Sequence, residues 1–176
     1  QCQKPLDKHL HALGGVQAGS DGLAILLRRA GSCHGQLGVG DTADRFRPEF
    51  ARIPGVAIAC GNYHSLCLDS RGRVFTSGYN AFGQLGVGDY TLRDNWVIGA
   101  YDMCGIAGGA GHSASMNAFG GLFTWGLNDS GQMGDGTTVS KSLLKHIPSH
   151  PYTTGLWTGS SSHHSAALSN KPIMLY

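Results

Sequence analysis

Apolar residues along this chain come in short runs, separated by stretches rich in glycine, asparagine, aspartate and serine. In the middle of the chain the runs are Val56 to Ala59, Ser65 to Leu68, Val74 to Ser77 and Trp96 to Ile98. Farther on they are Ser113 to Met116, Leu122 to Trp125 and Leu143 to Ile147. Runs this short, bounded by turn residues and lacking a 3.6-residue period, predict β-strands. Asp69-Ser70-Arg71-Gly72 and Asn117-Ala118-Phe119-Gly120 each join a second run to a third. Both end on a glycine able to take positive φ, so both are expected to be hairpin turns. Only residues 1–15 differ: Leu6, Leu10 and Leu13 after Pro5 predict a short amphipathic helix, an N-terminal arm or cap.

The runs repeat at a fixed interval. Gly35-Gln36-Leu37-Gly38, Gly83-Gln84-Leu85-Gly86 and Gly131-Gln132-Met133-Gly134 place their glutamines 48 residues apart. Gly61-Asn62-Tyr63-His64-Ser65 and Gly109-Ala110-Gly111-His112-Ser113 keep the same spacing, as do Gly78-Tyr79-Asn80 and Gly126-Leu127-Asn128. Four short strands in a unit of about 50 residues are the mark of a propeller blade. The expected fold is therefore all-β: an incomplete, open or partial β-propeller of three to four blades, each four-stranded. The register gives a divergent, shortened repeat at 16–60, full repeats at 61–108 and 109–160, and a truncated repeat at 161–176. In the first unit Gly22 stands where His64 and His112 do, yet 14 residues separate it from Gln36, against 20 in the others. Six residues are missing where the second hairpin strand belongs. So few blades leave open edges, because only closure removes them. The expected cover is the missing part of a longer propeller, further chains that close a ring, or other protein subunits over the open edges.

The motif residues have structural work to do. Glycines permit close approach of backbones. Asn80 and Asn128 are expected to bond backbone two residues on, as in Asx turns. Gln36, Gln84 and Gln132 are expected to satisfy buried backbone groups, and the His-Ser pairs to do similar work at a strand start. The sequon Asn128-Asp129-Ser130 is then incidental to a tight turn. Cys67 and Ser115 share one repeat position, which predicts a small, half-buried residue.

Composition narrows the class. Glycine contributes 28 of 176 residues, in keeping with many tight turns, while charged residues make up only 14% and the net charge is +2. Without a Lys/Arg cluster, no nucleic-acid partner is expected. Five cysteines, an odd set with no C-x-x-C, read as reduced thiols of an intracellular protein. An organellar compartment also fits, since a targeting peptide can be removed before Gln1. No apolar stretch approaches the roughly 20 residues of a membrane span.

No catalytic or ligand spacing stands out. His163 and His164 are adjacent, so on a strand they face opposite sides and do not share one metal ion. Ser160 to Ser162 beside them lack a Gly-x-Ser-x-Gly elbow. Gly108-Gly109-Ala110-Gly111 is followed by neither Lys-Ser/Thr nor a helix, as a phosphate loop requires. No cofactor, metal or catalytic residue is expected. Aromatics are more telling. Tyr63, Tyr79, Phe82, Tyr90, Trp96 and Tyr101 crowd the middle unit, mostly in its turns, and are the candidate protein contacts. The competing reading for Phe82 and Trp96 is packing between blades.

Gly109-Ala-Gly-His112-Ser113, then Trp125-Gly126-Leu-Asn128 and Gly131-Gln132-Met133-Gly134, resembles the repeat of the regulator of chromosome condensation family over roughly residues 16 to 176. The resemblance implies a propeller, commonly seven-bladed, which at this period takes about 336 residues. It implies protein-interaction platforms, with a founding member that exchanges nucleotide on the GTPase Ran and docks on chromatin. The leading expectation is a non-enzymatic scaffold, an accessory subunit of a larger assembly. Its alternative is an exchange factor or regulator of a small GTPase, and a His/Ser-dependent hydrolase is the third class.

Overall fold

A computed structural model describes residues 17–19, 22–25, 33–44, 49–50, 53–148, 152–159 and 162–169. The N-terminal arm expected at 1–15 lies outside them. The architecture is a row of antiparallel sheets. Strands β1 (Gln17–Gly19), β2 (Gly22–Ile25) and β3 (Glu49–Phe50) form a three-stranded sheet in that order. Next come β4 (Ala57–Cys60), β5 (His64–Leu68), β6 (Val74–Gly78) and β7 (Arg93–Ala100), then β8 (Met103–Gly108), β9 (His112–Asn117), β10 (Leu122–Gly126) and β11 (Lys141–Ile147). Each of these sets is a four-stranded meander. Strands β12 (Thr153–Thr158) and β13 (Ser165–Ser169) pair with each other. No closed barrel forms among the described residues; the sheets are propeller blades.

The predicted runs match their strands to within about three residues at each end. Two strands carried no apolar run to predict them. β8 reads Met-Cys-Gly-Ile-Ala-Gly and β12 reads Thr-Thr-Gly-Leu-Trp-Thr, so glycine breaks the pattern, yet both become strands, β8 at the edge of its sheet beside β9 and β12 beside β13. The sheets are thereby one strand out of phase with units counted from Gly61 and Gly109, because each opens on a strand lying before that signature. In the first sheet β2 pairs directly with β3, Ala24 opposite Phe50. That is where the six-residue gap falls, and an outer strand has closed over it.

Both hairpin turns have the expected chemistry. Gly72 and Gly120 adopt φ of 78° and 79°, and their amides donate to Asp69 O and Asn117 O at 3.1 and 3.0 Å. The side chain at the first turn position does more: Asp69 Oδ1 accepts from the Arg71 and Arg73 amides, and Asn117 Oδ1 from those of Phe119 and Gly121. Burial alone would raise the Asp69 pKa, but these bonds and the Arg73 guanidinium at 2.6 Å hold it below its ordinary value.

The core lies between sheets. Leu66, Leu68 and Val74 of one blade pack against Met103, Ile106 and Trp125 of the next. Ala107, Ala114, Met116, Leu122 and Ile147 then meet Leu156 of β12. Cys67 and Ser115 are both fully buried, not half-buried, since each sits where neighbouring sheets face each other. One contact has changed hands between blades. Trp125 of β10 lies against Gly86 beside Leu144, whereas at the equivalent places stand Ser77 and Trp96, and there Trp96 of β7 lies against Gly38. An indole covers each loop, supplied by different strands. Trp125 Nε1 donates to Gln84 O at 2.8 Å, while Trp96 Nε1 is buried without a partner.

Candidate functional site

Each Gly-x-x-His-Ser signature forms a latch to the following blade. His64 Nε2 lies 2.9 Å from Ser113 Oγ, and Ser113 Oγ donates to Gln84 O at 2.8 Å. A carbonyl can only accept and the hydroxyl has one proton, so the imidazole must be the donor to Ser113. His112 Nε2 repeats the contact with Ser165 Oγ. The rings press on backbone: a Cβ at Gly61 would stand 2.1 Å from His64 Cε1, and one at Gly109 the same distance from His112 Cε1. Both Nδ1 atoms are buried with no partner. Burial is the main reason the His64 pKa falls to about 3 and that of His112 to about 4, with neighbouring histidines adding to each. This geometry opposes serine hydrolysis at the His64–Ser113 pair. A base must accept the serine proton and be oriented by a third group at Nδ1, but here His64 donates and its Nδ1 has no partner.

The Gly-x-Asn signature caps the Gly-Gln-Leu-Gly loop. Asn80 Oδ1 accepts from Leu85 N at 3.0 Å, and its Nδ2 donates to Asp89 O at 2.9 Å. Asn128 does likewise with Met133 N and Thr137 O. The asparagines thus reach five and nine residues on, not two, and pin both ends of a loop. Asn128 is fully buried, which closes its sequon to glycosylation in the folded chain. The glutamines act locally: Gln36, Gln84 and Gln132 Oε1 accept from His34, Phe82 and Ser130 amides.

Together these bonds hold rigid the face where β4 turns into β5 and β6 runs into its loop. Tyr79 N donates to Tyr63 O at 2.8 Å, which brings the two tyrosines side by side. Tyr63 and Tyr79 rings lie 6.3 Å apart, and Tyr79 meets Phe82 edge-on at 6.0 Å. His34, from the preceding unit, meets Tyr63 at 4.7 Å with the rings tilted by 40°, and Tyr79 edge-on at 5.0 Å. These rings wall a cleft of about 420 Å³, completed by Asn62, Gln84, Ala110, Gly111, Leu127 and His163. Gly111 opens it by lacking a side chain. Among the described residues no carboxylate or ammonium lines it, and Tyr63 and Phe82 stay 48% and 38% exposed, ready for contact.

Of the six candidate contacts, Tyr63, Tyr79 and Phe82 therefore converge. Tyr90 is exposed in the loop before β7, outside the ring cluster. Tyr101 sits at the β7–β8 corner, at the opposite end of the sheet. Trp96 is half-buried against Ile53, Ile58, Cys60, Cys67 and Phe75, so it serves packing. His34, Gly111, Leu127 and His163 were not anticipated, although the repeat register marks them. His34 and Phe82 occupy one repeat position, Tyr79 and Leu127 another. Tyr63, Gly111 and His163 each stand two residues before the serine of a unit, Ser65, Ser113 and Ser165. Among the described residues, no three His, Cys, Asp or Glu side chains gather to hold a metal ion, and no helix is long and apolar enough to cross a membrane.

Comparison with known proteins bears on the whole chain. A model of the regulator of chromosome condensation (RCC1) repeat matches residues 31–68 and 120–168, and a second model of that repeat matches residues 56–84. No curated protein matches by sequence. Among solved structures, human WBSCR16 superposes with a TM-score of 0.68 at 22% identity, over 84% of this chain and 40% of its own. Prp20p of Saccharomyces cerevisiae, studied with its binding to Gsp1p and histones, gives 0.65 at 18% identity, over 82% of this chain and 41% of its own. The same yeast protein bound to Kap60 gives 0.68 at 22%, over 93% and 43%. This chain spans about two-fifths of the length of these solved relatives. The matched repeats cover more than half of the sequence, and the chain belongs to the regulator of chromosome condensation repeat family.

Proposed function

We propose that this protein is a non-enzymatic interaction module, an accessory subunit whose partner docks on the aromatic cleft. The observation that carries the reading is the convergence of His34, Tyr63, Tyr79 and Phe82 from two units around an uncharged cleft. Rigid, half-exposed aromatics on loops held by a fixed scaffold are what interface anchors need. Its aromatic walls favour a partner segment rich in apolar or aromatic side chains. An intracellular setting accords with the buried thiols of Cys60 and Cys67, which desolvation raises to about 11 and about 12 and so holds in the unreactive protonated form.

Site-specific photo-crosslinking in the native cell tests the surface. A crosslinker at Phe82 should give one dominant protein adduct, and one at Phe119 none, although Phe119 is 91% exposed on the far turn. Equal labelling at Phe119 would remove the cleft from consideration. A second reading, regulation of a small GTPase, is favoured by the Gsp1p binding of the fold relative Prp20p. With Gsp1p loaded with a fluorescent nucleotide, the scaffold reading expects unchanged release at one chain per ten GTPase molecules. Acceleration would decide for the GTPase regulator.

A further inference from the structure

Where the aromatic cleft forms, the middle unit departs from the next unit in two ways. Tyr63, Tyr79 and Phe82 stand at the repeat positions that carry Gly111, Leu127 and Ser130 one unit later, and Ala81 stands where Asp129 does. The second change releases a hydrogen-bond donor. In the later unit Gln132 Oε1 accepts from Ser130 N at 2.9 Å, and Gln132 Nε2 donates to Asp129 Oδ1 at 3.1 Å. In the middle unit Gln84 Oε1 accepts from Phe82 N at 3.0 Å in the same way. A backbone N–H only donates, so the atom it meets is the carbonyl oxygen, and Nε2 is the other end of the amide. With alanine at 81 that Nε2 has no carboxylate to meet, and among the described residues it has no acceptor. Gln84 is 1% exposed and lines the cleft beside Tyr63, Tyr79 and Phe82. All these residues fall within 53–148, which is described without a break.

The backbone around the cleft is already engaged. Tyr63 O accepts from Tyr79 N at 2.8 Å, Gly111 O from Leu127 N at 2.9 Å and Ala110 O from Asn62 N at 3.3 Å. The spare polar group is therefore a donor, set among aromatic rings. A ligand must bring it an acceptor, offer apolar surface to the rings, and carry few N–H groups of its own. The amide turns the positive end of its dipole to the ligand, which suits a carbonyl oxygen and opposes a cation. Proline meets each condition: its ring is apolar and it has no N–H. In the polyproline II form its carbonyls are free of internal hydrogen bonds, and the shape is set before binding. Tyr79 stands at 75° to both Tyr63 and Phe82, so it forms a ridge with a notch on either side.

We propose that the cleft binds a proline-rich extended segment of a partner protein, seated on Tyr63, Tyr79 and Phe82 with one of its carbonyls accepting from Gln84 Nε2. Aromatic-lined grooves that read such segments use this combination of flat rings and preformed ligand. A Pro-x-x-Pro pattern presents two pyrrolidine rings to one side, one for each notch. The inference rests on the cleft being the docking face and adds the chemistry of what docks there.

The test titrates the full chain into a fluorescein-labelled peptide of three Pro-Pro-Ala repeats, acetylated and amidated at its ends, and follows anisotropy. Saturable binding with a Kd below about 1 mM is expected. Ala81→Asp rebuilds the Asp129 arrangement at an exposed position and captures Nε2, so it should weaken binding about tenfold while thermal stability is kept. Tyr79→Leu, which installs the residue of the next unit, should abolish binding, and Phe119→Ala on the far turn should leave it intact. The proposal is overturned by no saturation at millimolar protein, by equal affinity for a Ser-Ser-Ala peptide of the same length, by tighter binding of a trimethyllysine peptide, or by Ala81→Asp binding as the parent does. A single adduct from the crosslinker at Phe82 with no proline peptide bound would overturn the proline assignment and keep the cleft as a docking face. Neither adduct nor peptide binding would remove both.

Discussion

His64 and His112 carry the clearest consequence at the scale of single residues. Each is neutral and hydrogen-bonded through Nε2 to a serine of the next blade, His64 as the donor, with a buried Nδ1 that has no partner. Their folded pKa values, about 3 and about 4, lie below the ordinary 6.5. The unfolded chain therefore takes up protons first as pH falls. The stability these residues confer is complete above pH 6.5 and is lost as pH declines toward their folded values, at about 2–3 kcal/mol each by pH 4.5. Urea unfolding at pH 7, 6, 5 and 4.5 should show this decline. His64→Gln, which keeps a donor but cannot titrate, should start less stable at pH 7 and fall with a slope shallower by one proton. An unchanged slope would mean that His64 does not remain neutral in the fold. Asn80 gives a second measure. It closes the Gly83–Gly88 loop with both its acceptor and its donor and is fully buried, so Asn80→Ala strands Leu85 N and Asp89 O. A loss of about 2–4 kcal/mol is expected in the same unfolding experiment.

Between elements, the exchange of indoles predicts energetic coupling. Ser77 and Trp96 stand where Trp125 and Leu144 stand one repeat later; Trp96 covers Gly38, and Trp125 with Leu144 covers Gly86. Trp96→Leu alone should open a cavity over Gly38 and cost about 2–4 kcal/mol. Ser77→Trp alone should overpack the same place and cost about 1–3 kcal/mol. Together they recreate the arrangement around Gly86 and give the new indole Gln36 O to bond, which the orphaned Trp96 Nε1 lacks. The double variant should therefore come within about 1 kcal/mol of the parent in a double-mutant cycle, and strict additivity would show that the two sites do not share one space. This exchange also shows what the sequence discloses about elements. Strands with an apolar run and a following turn glycine were legible, because period and turn chemistry are local. β8 and β12 were not, since glycines interrupt both runs; in β8, Gly108 lets the backbone of Cys60 in the neighbouring sheet come close, a tertiary demand that lowers strand propensity. Nor could spacing alone tell that Trp96 substitutes for a tryptophan absent at position 77, although both positions stand in the register.

For the whole molecule, the aromatic cleft was half legible: Tyr63, Tyr79 and Phe82 stood out by type, but His34, Gly111, Leu127 and His163 belong to it only because successive units bring their variable positions to one face. The invariant positions build the scaffold and the variable ones line the cleft. The same division implies uneven stability. In a row of repeats each sheet is stabilised chiefly by its neighbours, and here β5, β6, β9 and β10 lie between two other strands and are almost wholly buried. Strand β13 is exposed at each of its residues; it pairs with β12, and Ser165 contacts His112. Amide hydrogen exchange should therefore be slowest in β5, β6, β9 and β10 and faster by orders of magnitude in β13, with opening proceeding inward from that edge. Uniform protection across all sheets would mean that the row opens as one cooperative block, and the latches between blades would then couple the sheets more strongly than their packing alone implies.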